Sequence, residues 1–165
     1  MKSIFLILAI ICSVSIVSCA DSEEPVSPLI GDWENRVYVD SLDYWFVQSY
    51  RFVNESTYDI IETVRRTEGG EDLGYRLITR GWYDYKGEDF TYYYDDVLML
   101  EDYYRRDGNE FFAPKDDLRA VVVDFFRHPI ASLTFSSDRK QFVFQDECLD
   151  YVDECPVSKT YIRVN

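Results

Sequence analysis

The residues equipped to act as acids, bases or ligands are few in type and clustered in place. His128 is the only histidine, and Pro129 behind it biases it toward extended backbone, so it reads as a loop residue rather than a general base. The carboxylates come in adjacent pairs, Asp95-Asp96, Glu101-Asp102 and Asp116-Asp117. A glycosidase needs two carboxyl groups converging on one bond. Neighbours on a strand point to opposite faces, so each pair reads as a solvated charge cluster. Asp146, Glu147, Asp150, Asp153 and Glu154 crowd one short segment and are the best calcium candidates, yet they lack the glycine and the spacing of an EF-hand loop. No serine stands in a Gly-x-Ser-x-Gly turn and no glycine-rich phosphate loop follows a strand. The expectation is a protein that is not an enzyme, with no catalytic residues, no metal and no cofactor.

The cysteines carry the clearest chemistry. Lys2 precedes an apolar run from Ile4 to Ile11 and then Ile16-Val17-Ser18-Cys19, the order of a secretory signal peptide. Its last four residues resemble a bacterial lipobox, which makes Cys19 the lipidated residue and the N-terminus of the mature chain. From Ile4 to Val17 the segment is shorter than the roughly 20 residues a bilayer-spanning helix needs. The expected division is 1–18 signal peptide, 19–28 lipidated cysteine and acidic tether, and 29–165 folded domain. Ala20 to Pro28 is polar, acidic and twice interrupted by proline, as a tether is. It also resembles the acidic export signal of surface-exposed lipoproteins, so the expected location is the cell envelope, on an outer membrane and facing outward. With Cys12 removed in the signal and Cys19 lipidated, Cys148 and Cys155 are left in an oxidising compartment, where a local disulfide is the natural outcome.

Charge narrows the partners. The chain has 17 basic and 31 acidic residues and a net charge of −14. Such a surface repels phosphate backbones, which argues against nucleic acid and against electrostatic docking on anionic lipid. Membrane attachment then falls to the acyl chains, at about 0.8 kcal/mol per buried methylene. Nothing in the composition fixes the oligomeric state.

The elements that must position these groups read as strands. Tyr44, Phe46, Tyr50 and Phe52 share one parity, as do Tyr58, Ile60 and Val64, with Val53 to Ser56 as the turn of a hairpin. Further strands are expected over Tyr75 to Tyr85, Phe90 to Tyr94, Val97 to Tyr104, Glu110 to Ala113, Leu133 to Phe135, Gln141 to Gln145 and Lys159 to Val164. Gly69-Gly70, Lys86-Gly87-Glu88, Asp107-Gly108-Asn109 and Ser136-Ser137-Asp138 punctuate them. Leu118 to Val123 fits a short helix or a strand, its β-branched run favouring strand. Many short strands with regular turns predict a closed antiparallel barrel or a sandwich.

Leu29-Ile30-Gly31-Asp32-Trp33-Glu34 resembles the Gly-x-Trp opening of lipocalins and related calycins, whose tryptophan packs across the barrel floor. Tyr50-Arg51-Phe52, Thr57-Tyr58, Gly81 to Phe90, Ile130 to Phe135 and Thr160 to Val164 are similar in order and spacing to the lipocalin-like domains of Bacteroidetes lipoproteins. The resemblance implies an all-β, antiparallel up-and-down barrel of about eight strands, with residues 92–126 longer than usual and partly an insertion. It also implies either a filled interior or a cavity for one small apolar or amphipathic ligand. Trp82, Tyr83, Tyr85, Phe90, Tyr92 and Tyr94 are the candidate cavity walls, although aromatics at strand spacing serve equally as core packing. Turned outward, tyrosines would make stacking platforms for a glycan or a protein partner, as in a surface interaction module with a filled core.

Overall fold

The computed structural model describes residues 27–103, 111–123, 129–148 and 155–164. Nine strands form one antiparallel sheet: β1 Gly31–Val39, β2 Tyr44–Phe52, β3 Thr57–Arg65, β4 Asp72–Lys86, β5 Asp89–Met99, β6 Arg119–Ala120, β7 Ile130–Phe135, β8 Gln141–Asp146 and β9 Lys159–Val164. The order β4-β3-β2-β1-β9-β8-β7-β5 closes on itself through β4–β5 pairing, so eight strands make an up-and-down barrel. The two-residue β6 hangs on the outer half of β5. Cys19 and its flanking signal and tether residues up to Val26, His128, and Asp150, Asp153 and Glu154 lie outside the described residues.

Parity places the core. On β2 and β3 the expected inward residues Tyr50, Phe52, Tyr58, Ile60 and Val64 are buried, and the predicted hairpin turn is present. Asn54 holds that turn: its Oδ1 accepts from the backbone N–H of Ser56 at 2.8 Å and of Thr57 at 2.9 Å. Its main chain also accepts from the Tyr83 hydroxyl at 2.6 Å, tying the turn to β4.

Several expectations change. Phe90 to Tyr94 and Val97 to Tyr104 are one strand up to Met99, because Asp95 is an extra residue at a bulge where Arg80 pairs Asp96 and Gly81 pairs Tyr94. The bulge resets the alternation, so Tyr92 and then Val97 face inward. It also leaves Asp95 and Asp96 both exposed instead of on opposite faces. Of the strand expected over Glu110 to Ala113, the described part is a single bridge between Ala113 and Tyr75. Leu118 to Val123 is neither helix nor full strand; a single 3-10 turn, Lys115–Asp117, precedes the short β6.

One end of the barrel is closed. Trp33 is fully buried, donates its indole N–H to the Leu29 carbonyl at 2.7 Å, and carries the Arg163 guanidinium 4.2 Å above its ring. Arg163 in turn donates to the carbonyls of Ile30 at 3.0 Å and Pro28 at 2.6 Å, so the entering and leaving segments are knotted together beneath the floor. At the opposite end lie the β1–β2 and β3–β4 turns, the segment between β5 and β7, and the Cys148–Cys155 disulfide, whose Cα atoms are 4.9 Å apart.

Candidate functional site

Above the floor the barrel is filled with rings. Trp33 meets Phe142 at 4.8 Å, Phe142 stacks on Tyr161 at 4.9 Å, and Tyr161 meets Tyr50 edge-on at 5.1 Å. Phe52 meets Tyr83 at 5.1 Å, Tyr83 stacks on Phe90 at 5.3 Å, and Phe90 meets Tyr92 at 5.7 Å. Such pairs add about 0.5–1.5 kcal/mol each beyond the area they bury. Burial pushes the phenols of Tyr50, Tyr58, Tyr92 and Tyr161 well above their ordinary pKa, and that of Tyr83 to about 12. These rings pack as neutral groups.

The structure distributes the six aromatic candidates between the core and the outer wall. Tyr83, Phe90 and Tyr92 belong to the core, and Tyr85 and Tyr94 are half-buried against it. They fill the barrel rather than line a space within it. Trp82 alternates with Tyr83 and so faces outward, 42% exposed, directly across the ladder from Tyr93 at 38%. None of the six borders the cavity in the mouth.

That cavity begins where the inward face turns polar. Asn35, Gln48 and Glu62 stand side by side on β1, β2 and β3, one rung beyond Trp33, Tyr50 and Ile60. Gln48 donates to Glu62 Oε1 at 2.6 Å, while its own Oε1 accepts from the Tyr161 hydroxyl and from Lys159 Nζ, the latter at 3.1 Å. Glu62 Oε2 accepts from the Tyr103 hydroxyl at 2.8 Å. Tyr161 is the last ring of the plug, so this polar belt is its lid.

Beyond the belt a cavity of about 280 Å³, open to solvent on one side, is walled by Val37, Val39, Phe46 and Val47 and by the belt residues, with Thr63, Arg76, Tyr103 and Lys159 completing it. Arg76 is the bulge residue on β4, where Glu62 pairs Leu77 and Thr63 pairs Tyr75. It is 4% exposed, donates to the carbonyls of Phe111 at 2.8 Å and Tyr103 at 2.6 Å, and lies 5.0 Å over the rings of both Phe46 and Tyr103. Arg76 thereby pins the segment after β5 to the rim. Small-molecule sites combine an apolar wall with a few converging polar groups, and this end of the barrel has both.

A larger space of about 460 Å³ lies along β5 between Tyr94 to Leu98 and Ala120 to Val123. It is lined mostly by aliphatic residues, with Asp95 and Asp96 on one side only, and it ends at residue 123, the border of a described segment. The mouth is the better defined site.

The mouth residues were not among the candidates drawn from the sequence, although part of the signal was present. Gln48 shares the parity of Phe46 and Tyr50, and Glu62 that of Ile60 and Val64, so a polar residue on an inward parity marks a polar interior layer. Arg76 left no such mark, because its bulge breaks the alternation. On the outer wall, Arg65 reaches Glu34 at 2.9 Å and Asp72 at 2.6 Å, and Arg36 reaches Glu34 at 2.6 Å. Burial alone would raise the Glu34 carboxyl, but the two guanidiniums hold it below its ordinary range. The acid pairs sit at the surface: Glu101 bonds Arg119 at 2.9 Å, and Asp116 and Asp117 are exposed on the 3-10 turn. Among the described residues no group of three or more acidic, histidine or cysteine side chains could hold a metal.

Comparison with known proteins finds no family model, no curated protein and no solved structure that matches this chain.

Proposed function

We propose that the protein is a lipocalin-like envelope lipoprotein, anchored through lipid on Cys19 in an outer membrane and facing outward, whose barrel mouth binds one small amphipathic molecule. In this reading it binds its ligand without transforming it. The supporting observation is the half-open cavity of about 280 Å³, with Val37, Val39 and Phe46 as its apolar wall and Asn35, Gln48 and Glu62 as its polar base. At about 280 Å³ it falls just below the usual range of small-molecule pockets, about 300–1,000 Å³. The aromatic plug beneath stops a long chain from entering, which favours a compact ligand over an extended one. A second reading, a surface module contacting a glycan or another envelope protein, is favoured by the exposed Trp82–Tyr93 pair on the outer wall.

Native mass spectrometry of protein purified from its own host's membranes tests the reading. A single bound small molecule is expected, and Val37→Trp, which fills the mouth from a half-exposed position, should remove it. A ligand-free spectrum for the natural chain would leave the surface module as the better reading. Cys19→Ser should shift the protein from the membrane to the soluble fraction, and a variant that still sediments after a high-salt wash would overturn the lipid anchor.

A further inference from the structure

We propose that the outer wall of the barrel carries a binding strip for a neutral glycan, an inference that rests on the surface-module reading above and commits that surface to one class of partner. Trp82 and Tyr93 take the apolar faces of the sugar rings, and the charged side chains along the strip take the hydroxyls.

The ladder sets the shape. The Val53 N–H donates to the Thr57 carbonyl at 3.0 Å, Thr57 pairs Trp82, and Trp82 pairs Tyr93. Each of these four residues adjoins a buried one, Phe52, Tyr58, Tyr83 and Tyr92 in turn, so their own side chains face outward. At roughly 4.8 Å between neighbouring strands the row is about 14 Å long, and it is one residue wide.

Its borders are polar. On the side toward the mouth, Arg80 donates to Asp59 at 3.0 Å and faces Asp96 across the ladder, while the bulge leaves Asp95 exposed beside them. On the side toward the base, Lys86 donates to Asp84 at 2.6 Å, both of them exposed.

Shape and border together select the partner. A stable protein contact buries about 800 Å² on each side and rings its anchors with contacts that exclude water. A strip one residue wide between exposed ions offers no such ring. Insertion into a bilayer would strip the same ions of water, which is costly. A pyranose matches the strip: it has a narrow C–H face for the rings and a rim of hydroxyls that donate to carboxylates and accept from Arg80 and Lys86. Asp59, Asp95 and Asp96 outnumber Arg80 on one border, so an acidic glycan is repelled and a neutral one is not.

Affinity electrophoresis of the chain from Ala20 onward, which contains every described residue, tests the proposal in native gels carrying β-glucan, mannan, galactan or xylan. Polygalacturonate is the acidic comparison. At least one neutral polysaccharide should retard the protein, and polygalacturonate should not. Trp82→Ala, at an exposed position, should keep the melting temperature and weaken the retardation about tenfold, the loss expected for one aromatic contact. Trp82→Tyr keeps a ring and should keep the binding. Ile162→Ala, exposed on β9 away from the strip, should change nothing. Retardation that survives Trp82→Ala, or retardation by polygalacturonate alone, would overturn the neutral-glycan strip. An envelope protein that co-purifies with the natural chain and is lost with Trp82→Ala, without any glycan binding, would overturn the glycan while keeping the surface module. Absence of both glycan and protein binding would overturn this inference and the surface-module reading beneath it.

Discussion

Trp33 and Trp45 are the same residue type on neighbouring strands, with opposite tasks. Trp33 closes the floor, fully buried under Arg163, whereas Trp45 faces outward, half-buried beside Tyr38 at 5.4 Å. Removing a fully buried ring of this size costs about 3–5 kcal/mol, a large share of the 5–15 kcal/mol that holds a domain. Trp33→Ala also leaves Arg163 without the ring it covers and frees the Leu29 carbonyl. It should lower the melting temperature by many degrees, with Trp45→Ala costing clearly less. Differential scanning calorimetry of both variants measures this, and equal losses would contradict a floor built on Trp33.

At the scale of elements, the hairpin of β4 and β5 depends on one missing side chain. A Cβ at Gly81 would sit 2.2 Å from the Tyr93 carbonyl oxygen and 2.7 Å from the Tyr58 ring. The first neighbour is main chain at the bulge and cannot swing aside. Gly81→Ala should therefore destabilise by at least the 1–3 kcal/mol typical of overpacking, read as a lower midpoint in urea. An unchanged midpoint would mean that the bulge relaxes freely. The same bulge limits what can be read without a structure. Around the β2–β3 turn alternation is regular, so Tyr50, Phe52, Tyr58 and Ile60 and the turn between them are legible residue by residue, whereas farther along Val47 and Thr63 are buried on the opposite parity. In β5 the extra residue Asp95 reverses parity midway, which splits one strand into two apparent ones, and a separate bulge of β4 against β3 conceals Arg76. β1 escaped notice for another reason: its outward Glu34 and Arg36 and its inward Asn35 are all polar, which erases the contrast on which a period of two depends. The mouth was the least legible part, because its residues come from five strands and a loop that meet only once the ring closes.

At the scale of the whole molecule, the filled interior makes a collective statement about alkali. Five phenols, those of Tyr50, Tyr58, Tyr83, Tyr92 and Tyr161, are raised above their ordinary value of 10.0, chiefly by burial. In the unfolded chain they ionise near 10, so above that pH the unfolded state holds fewer protons than the native one. Stability is intact below about pH 10 and falls as the pH rises from there toward the folded values. Base should thus unfold the barrel in one cooperative step in which tyrosinate absorbance and loss of the β-sheet circular dichroism signal rise together. Ionisation of these tyrosines within an intact sheet would contradict an interior packed with neutral rings.

If lipid on Cys19 anchors the chain as proposed, the knot beneath the floor gives the molecule a polarity relative to the membrane. Ser27 and Pro28 reach the barrel at the closed end, where Arg163 holds the Pro28 carbonyl at 2.6 Å. On the lipidated-Cys19 reading, the eight residue steps from Cys19 to Ser27 span at most about 28 Å at full stretch. Strands of nine residues, tilted as in such barrels, are roughly 25 Å tall. Turning the mouth toward the bilayer would demand a tether drawn almost taut along the wall, at the expense of nearly all its conformational freedom. On that reading the resting posture would be the reverse: the sealed base toward the lipid, the aperture toward the medium. A guest would then arrive by three-dimensional diffusion from the aqueous side, and the anchoring membrane would act as a mooring rather than a reservoir.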